Sequence, residues 1–319
     1  MGQESRVKHG EHRRHRIAAQ RAAASRKRVR NRLLLAGGAI VGVISLALVM
    51  VAFSGGQANS PRAPSPDEPA GTALSSMVRD LTTVPASVLD AAGGGSLVTE
   101  DIGSATAVGG GYLTPITGSP LTAAGQPEVL YVGADFCPYC AAVRWPLIVA
   151  LSRFGTFSGL TATRSGITSG AGQAEPYPAT PTWTFSGSRY ASSYLAFTAV
   201  ETFTSVPDPV SGGYTVLQPP TSAQQSVLAA YDPSGGIPFV DIGGKYVQVS
   251  TLVPYGPQDL QGKTWSQVTA ALRDPSSALG KEITASANYL TAAICTITGD
   301  KPASACTPAV RALQPRLGR

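Results

Sequence analysis

Cys137 and Cys140 are separated only by Pro138 and Tyr139, and the residues on either side place the pair where a strand meets a helix. Val129 to Ala134 is a short apolar run of the buried-strand type, and the stretch from Pro138 to Phe154 carries Val143, Leu147, Val149 and Leu151 at helical spacing. A thiol at the start of a helix faces unpaired amide N–H groups and the positive end of the helix dipole, which stabilise a thiolate. Cys140, three residues on, shares that face of the helix within bonding reach. The chemistry such a pair performs is thiol–disulfide exchange, with an exposed Cys137 attacking and a shielded Cys140 resolving.

Zinc is the main rival for a Cys-x-x-Cys, but a structural zinc site takes four ligands, usually from a second such pair or from histidines. The other two cysteines, Cys295 and Cys306, lie far along the chain, and all three histidines fall at His9, His12 and His15. No metal and no cofactor are therefore expected, and a Ser-His-Asp triad is excluded beyond residue 15. A plain structural disulfide between Cys137 and Cys140 stays open as an alternative. For Cys295 and Cys306 the expectation is a structural disulfide that clamps the C-terminal segment; a second redox relay is its rival.

The 319 residues carry a net charge of +6, which at first suggests an anionic partner. Its location argues otherwise. Residues 1–32 hold 11 Lys/Arg against Glu4 and Glu11, a net of +9, so the remaining 287 residues are mildly acidic at −3. No nucleic-acid partner is expected. Leu33 to Phe53 is 21 residues without a charge, enough as a helix to cross the ~30 Å hydrocarbon core of a bilayer. The cations before it predict a cytoplasmic N-terminus and an extracytoplasmic remainder. The length of the apolar run favours an uncleaved single-pass anchor in the cell membrane over a cleaved signal peptide. Residues 54–70, rich in Pro, Ser and Gly, read as a linker, and 71–319 as the exported domain. That domain opens on a helical pattern at Leu74, Met77, Val78 and Leu81, with Val84, Val88 and Leu89 beyond a break at Pro85.

Further on, Ile237-Pro238-Phe239-Val240-Asp241-Ile242-Gly243-Gly244-Lys245-Tyr246-Val247 reads as a strand, a two-residue glycine turn and a returning strand. Thr264-Trp265-Ser266-Gln267 is a capping box that opens a helix, and a longer helix follows from about Ser277 to Thr296.

Cys137-Pro138-Tyr139-Cys140 after an apolar strand, followed by the Ile237-Pro238 hairpin, resembles the active site of the thioredoxin-like superfamily, and the Pro-Tyr dipeptide is the one seen in glutaredoxins. The whole plan, with the anchor, the PTWTFSGSRYASSYLAF stretch and the C-terminal cysteine pair, is similar to a membrane-anchored thioredoxin-like family of unknown function (domain of unknown function family 929). The resemblance implies an α/β fold preceded by one transmembrane helix: a thioredoxin-like mixed sheet with helices on both faces. It makes Cys137, Cys140 and a cis Pro238 the catalytic residues, with Ile237 and Tyr139 binding substrate. Two departures stand out. The 98 residues from Cys140 to Pro238 require an insertion at about 166–220, in which Tyr177, Trp183, Phe185 and Tyr190 either form a lid or pin the loops to the core. The position six residues before Cys137, where the superfamily places a buried acid, is Tyr131. Arg144, one turn past Cys140, either favours a thiolate or is a solvated surface residue.

The function expected is thiol–disulfide exchange with protein thiols or disulfides of the cell envelope, with a membrane redox partner possible. The alternative is a redox-inert binding module.

Overall fold

The computed structural model describes residues 67–98, 112–249 and 254–318. All belong to the second of two units into which the chain divides, Ser54–Arg319. The period of Leu74, Met77, Val78 and Leu81 forms α1 (Gly71–Thr82), and the pattern resumes after Pro85 as α2 (Ala86–Ala92), which buries Val88 and Leu89. Two short strands, β1 (Thr114–Pro115) and β2 (Thr122–Ala123), lead into β3 (Gln126–Gly133).

β3 is the spine of the fold. Its last six residues are all buried because both faces are covered. Strand alternation sends Val129 and Tyr131 into the larger core, and Leu130 and Val132 into a smaller one on the other face. The chain then enters α3 (Pro138–Leu151), in which every residue except Tyr139 is buried, so the helix sits inside the protein and is apolar apart from Arg144 and Tyr139. Pro146 lies inside this helix and leaves the Ala142 carbonyl without its i+4 amide. The buried Tyr255 hydroxyl donates to that carbonyl instead.

The insertion is built mostly from short strand pairs. β4 (Gly155–Ser158) pairs with β7 (Arg189–Ser192), and β5 (Thr161–Arg164) with β6 (Pro181–Thr184), both antiparallel. β8 (Ala196–Glu201) joins the main sheet, running parallel to β3 with Glu128 opposite Ala196 and Gly133 opposite Glu201. β9 (Phe203–Pro207) and β10 (Tyr214–Val216) form a further pair, and α4 (Ser222–Tyr231) opens on a Thr221/Gln224 capping box. Most of the insertion's aromatics pin it to the core. Trp183 and Phe185 are buried, Trp183 meets Trp145 edge to face at 5.5 Å, and the Tyr190 hydroxyl donates to the Leu151 carbonyl at 2.8 Å.

β11 (Phe239–Ile242) lies antiparallel to β3 on its other side and turns back as β12 (Tyr246–Val249). The turn holds three residues rather than two. Gly243 and Gly244 have φ of +66° and +69°, the Lys245 amide closes on the Ile242 carbonyl at 3.1 Å, and pairing resumes at Ile242 opposite Tyr246. A side chain at Gly244 would also meet the Ser119 carbonyl at 2.4 Å. The sheet order is β1-β12-β11-β3-β2, with β8 beside β3. After α5 (Pro257–Leu260), the Thr264/Gln267 capping box opens α6 (Trp265–Ala271), and α7 (Ala278–Thr298) packs against α3. Cys295 lies one turn inside α7 and is disulfide-bonded to Cys306, just before α8 (Pro308–Arg311). α4 packs on the smaller core and α3 and α7 on the larger, so helices cover both faces.

The expected fold class needs correction in its membrane element. The described residues form a mixed α/β fold, and no helix among them is long and apolar enough to cross a membrane. α7 has the length, at 21 residues, but carries Lys281, Glu282, Ser286 and Asn288. The expected span Leu33 to Phe53 lies outside the described residues, as do the basic tail at 1–32 and most of the linker at 54–70.

Candidate functional site

The end of β3 and the start of α3 bring the two thiols together. Cys137 is the N-cap residue of α3, in extended conformation, and its sulfur accepts the Cys140 amide at 3.2 Å. Pro138 occupies the first helical position, where a missing N–H costs nothing. Across the site, the Cys137 thiol donates to the Ile237 carbonyl at 3.8 Å, and the Ile237–Pro238 peptide bond is cis. Ile237 and Pro238 lead into β11, so two neighbouring strands of one sheet deliver the two halves of the site.

Both cysteines are free thiols, and both are buried: Cys137 is 4 % exposed and Cys140 wholly enclosed. This corrects the expectation of an exposed Cys137. The start of a helix is open in isolation, but here the Ile237 carbonyl lies against the Cys137 sulfur. Burial pushes the Cys140 thiol well up, and the neighbouring Cys137 sulfur adds to the rise; the Arg144 charge and the Ala134 amide partly offset it.

Arg144 is not a surface residue. It is wholly buried, and its guanidinium forms a two-point pair with Glu201, Nε to Oε1 at 2.9 Å and Nη2 to Oε2 at 2.6 Å. Nη2 also donates to the Ala134 carbonyl at 2.8 Å and lies 3.6 Å from Asp135 Oδ1. Burial opposes the Arg144 charge, but Glu201, Tyr131 and Asp135 more than offset this and push its pKa further up. Tyr131 packs its ring 5.7 Å from the guanidinium carbon, and its own pKa is pushed well up by burial. Among the described residues the Tyr131 hydroxyl has no hydrogen-bond partner.

Glu201 was invisible to sequence reasoning. It sits 57 residues beyond Arg144 in a strand that reads as half-apolar, and only parallel pairing puts it beside Gly133 at the end of β3. The one signal available was a lone acid ending an otherwise uncharged run, Leu195 to Val200.

Tyr139 is the one partly open residue of α3, and it meets Tyr177 of the insertion edge to face at 6.1 Å. Burial raises its pKa, as do the nearby Tyr177 and Cys137. On the other side of the pair, Phe136 stacks on Tyr214 at 4.3 Å with ring planes 8° apart, and the Tyr214 hydroxyl donates to Glu175 at 2.8 Å. The insertion therefore reaches the site at Tyr177 and Tyr214. Cys295 and Cys306 form a separate centre; their sulfurs, which with Asp300 make a group at metal-ligand spacing, are already bonded to each other.

Fold and site together define an α/β domain that holds two vicinal thiols at a helix N-terminus, between a buried ion pair and a strand-leading proline. Residues 112–296, more than half of the chain, match the family described as Domain of unknown function (DUF929), and the chain belongs to that family. No curated protein and no solved structure matches it.

Proposed function

We propose that this chain is a thioredoxin-like thiol–disulfide oxidoreductase acting on protein thiols and disulfides of the cell envelope. The observation that carries the reading is the placement of Cys137 Sγ, at the N-terminus of α3, 3.2 Å from the Cys140 amide and facing the Ile237 carbonyl. The arrangement β8-β3-β11-β12, with a parallel neighbour and an antiparallel hairpin around the strand that feeds the CxxC helix, supports the thioredoxin-like assignment. In the forward sense, the Cys137 thiolate attacks a substrate disulfide and releases one substrate sulfur as a thiolate. Cys140 then attacks Cys137 Sγ, the intramolecular disulfide forms, and the second substrate sulfur leaves. The substrate disulfide gains two electrons and the protein dithiol loses them. The Cys295–Cys306 disulfide supports an oxidising, extracytoplasmic compartment. Placement at the cell membrane, and any membrane redox partner, rests on the sequence of residues 1–53 alone.

A second reading has its own observation: Cys137 is only 4 % exposed, which favours a redox-inert binding module. The two separate with the Cys140→Ser variant and a disulfide-bonded peptide. Exchange traps a mixed disulfide on Cys137, and Cys137→Ser traps none. If neither variant captures the peptide and the wild type leaves it oxidised, the binding module is the better account.

A further inference from the structure

The buried ion pair has an obvious structural use, yet its position fits a second one. Cys140 and Arg144 are four residues apart on α3, one helical turn, and both are wholly buried. The Arg144 guanidinium is anchored at three points: Glu201 from β8, Asp135 from the loop before the helix, and the Ala134 carbonyl at the end of β3. Ala134 also accepts the Cys137 amide at 3.2 Å, so the peptide that fixes the guanidinium also fixes the first cysteine. A long side chain held this way is a fixed cation rather than a mobile one.

We infer that Arg144, locked in place by Glu201, is a positioning residue that favours the thiolate of the resolving Cys140. The proposal rests on the oxidoreductase reading only for its consequence in turnover. The groups that face Cys140 are Cys137 and Arg144 on its own helix and Tyr131 from β3; Asp135 and Glu201 face Arg144. Of these, Arg144 alone is cationic. Burial and the Cys137 sulfur both push the Cys140 thiol upward and so oppose formation of the thiolate that attacks Cys137 Sγ. A cation in low-dielectric surroundings makes that thiolate easier to form. Glu201 sets how much of the charge Cys140 feels: it holds the guanidinium in place and also partly neutralises it.

This predicts shifts of opposite sign for two changes at one ion pair, which a purely structural role does not produce. The experiment follows the Cβ carbon signal of Cys140 by NMR across a pH series in the reduced, full-length protein. In parallel it measures release of glutathione from a Cys137–glutathione mixed disulfide. Arg144→Met with Glu201→Leu removes both charges without stranding either, and the Cys140 midpoint should rise by about one unit or more. Glu201→Gln leaves the cation less neutralised, and the midpoint should fall. Arg144→Lys keeps the charge and should stay close to the wild type; if the double variant does not fold, the fall in Glu201→Gln carries the test. A double variant or a Glu201→Gln variant that folds without moving the midpoint, or that moves it against the sign given, overturns the proposal even if glutathione release persists. Opposite midpoint shifts with no glutathione release in the wild type would keep the role of Arg144 and sink the oxidoreductase reading.

Discussion

Glu201→Gln should be one of the most destabilising near-isosteric changes in the protein. Glu201 is 1 % exposed and Arg144 is wholly buried, and they meet through bonds of 2.9 and 2.6 Å. Removing the acid's charge leaves a guanidinium in the core with, among the described residues, only Asp135, at 3.6 Å, as a nearby counter-charge. Breaking a buried pair in this way costs about 3–5 kcal/mol, and the residual Asp135 attraction argues for the lower end. A glutamine can keep the acceptor that Glu201 Oε1 offers the Phe185 amide at 3.3 Å and Arg144 Nε at 2.9 Å, but its NH2 group then faces the Nη2 donor, so the loss combines the charge with the 2.6 Å hydrogen bond. For a domain of this size, about 3 kcal/mol lowers Tm by roughly 6–12 °C. The double change Arg144→Met with Glu201→Leu removes both charges of the pair, though it also withdraws the cation from Asp135 and the Ala134 carbonyl, and should cost less than Glu201→Gln. Urea unfolding of the reduced protein at pH 7, followed by tryptophan fluorescence, measures both. If Glu201→Gln costs under about 1 kcal/mol while the double variant costs more, the pair is not the desolvated, mutually dependent unit described above, and the reasoning fails.

Burial pushes the Asp241 carboxyl up to about 6; the Gly244 amide opposes this and the Glu128 charge adds to it. The folded protein thus holds that proton more tightly than the unfolded chain, whose carboxyl titrates near 3.9, and stability should fall as pH rises from about 4 to about 6, by about 2 kcal/mol. Asp241→Asn should flatten that slope in urea midpoints taken from pH 4 to 8; a variant curve parallel to the wild type refutes the assignment. Replacing Cys295 and Cys306 together by serine opens a link across a sequence separation of 11 and should cost about 2–3 kcal/mol, read as a lower Tm, with the reduction potential of the Cys137–Cys140 pair unmoved. A normal Tm with lost turnover would instead favour the relay role. Tyr177→Ala removes the ring that meets Tyr139 and should raise KM for a disulfide-bonded peptide several-fold with kcat little changed; a fall in kcat alone would place Tyr177 outside the substrate edge.

Local patterns in the sequence determine the local structure here. An apolar run followed by Pro138 makes a strand and a capped helix, Thr264 and Gln267 close a capping box, and Pro85 divides the lead-in helices; each outcome depends on neighbours within a turn or two. The CxxC was legible for the same reason, because its chemistry is set by residues 137 to 140 and the helix they begin. The tertiary structure decided what surrounds those sulfurs. Cys137 meets a carbonyl 100 residues away, Arg144 is paired with an acid 57 residues away, and Tyr139 meets a ring in the insertion. A lone arginine four residues after a cysteine is compatible with solvent or core, since the cost of burying its charge depends on a partner that no local spacing reveals. Parallel pairing of β3 with β8, which sets Gly133 opposite Glu201, supplies that partner, and with it the electrostatics of the site.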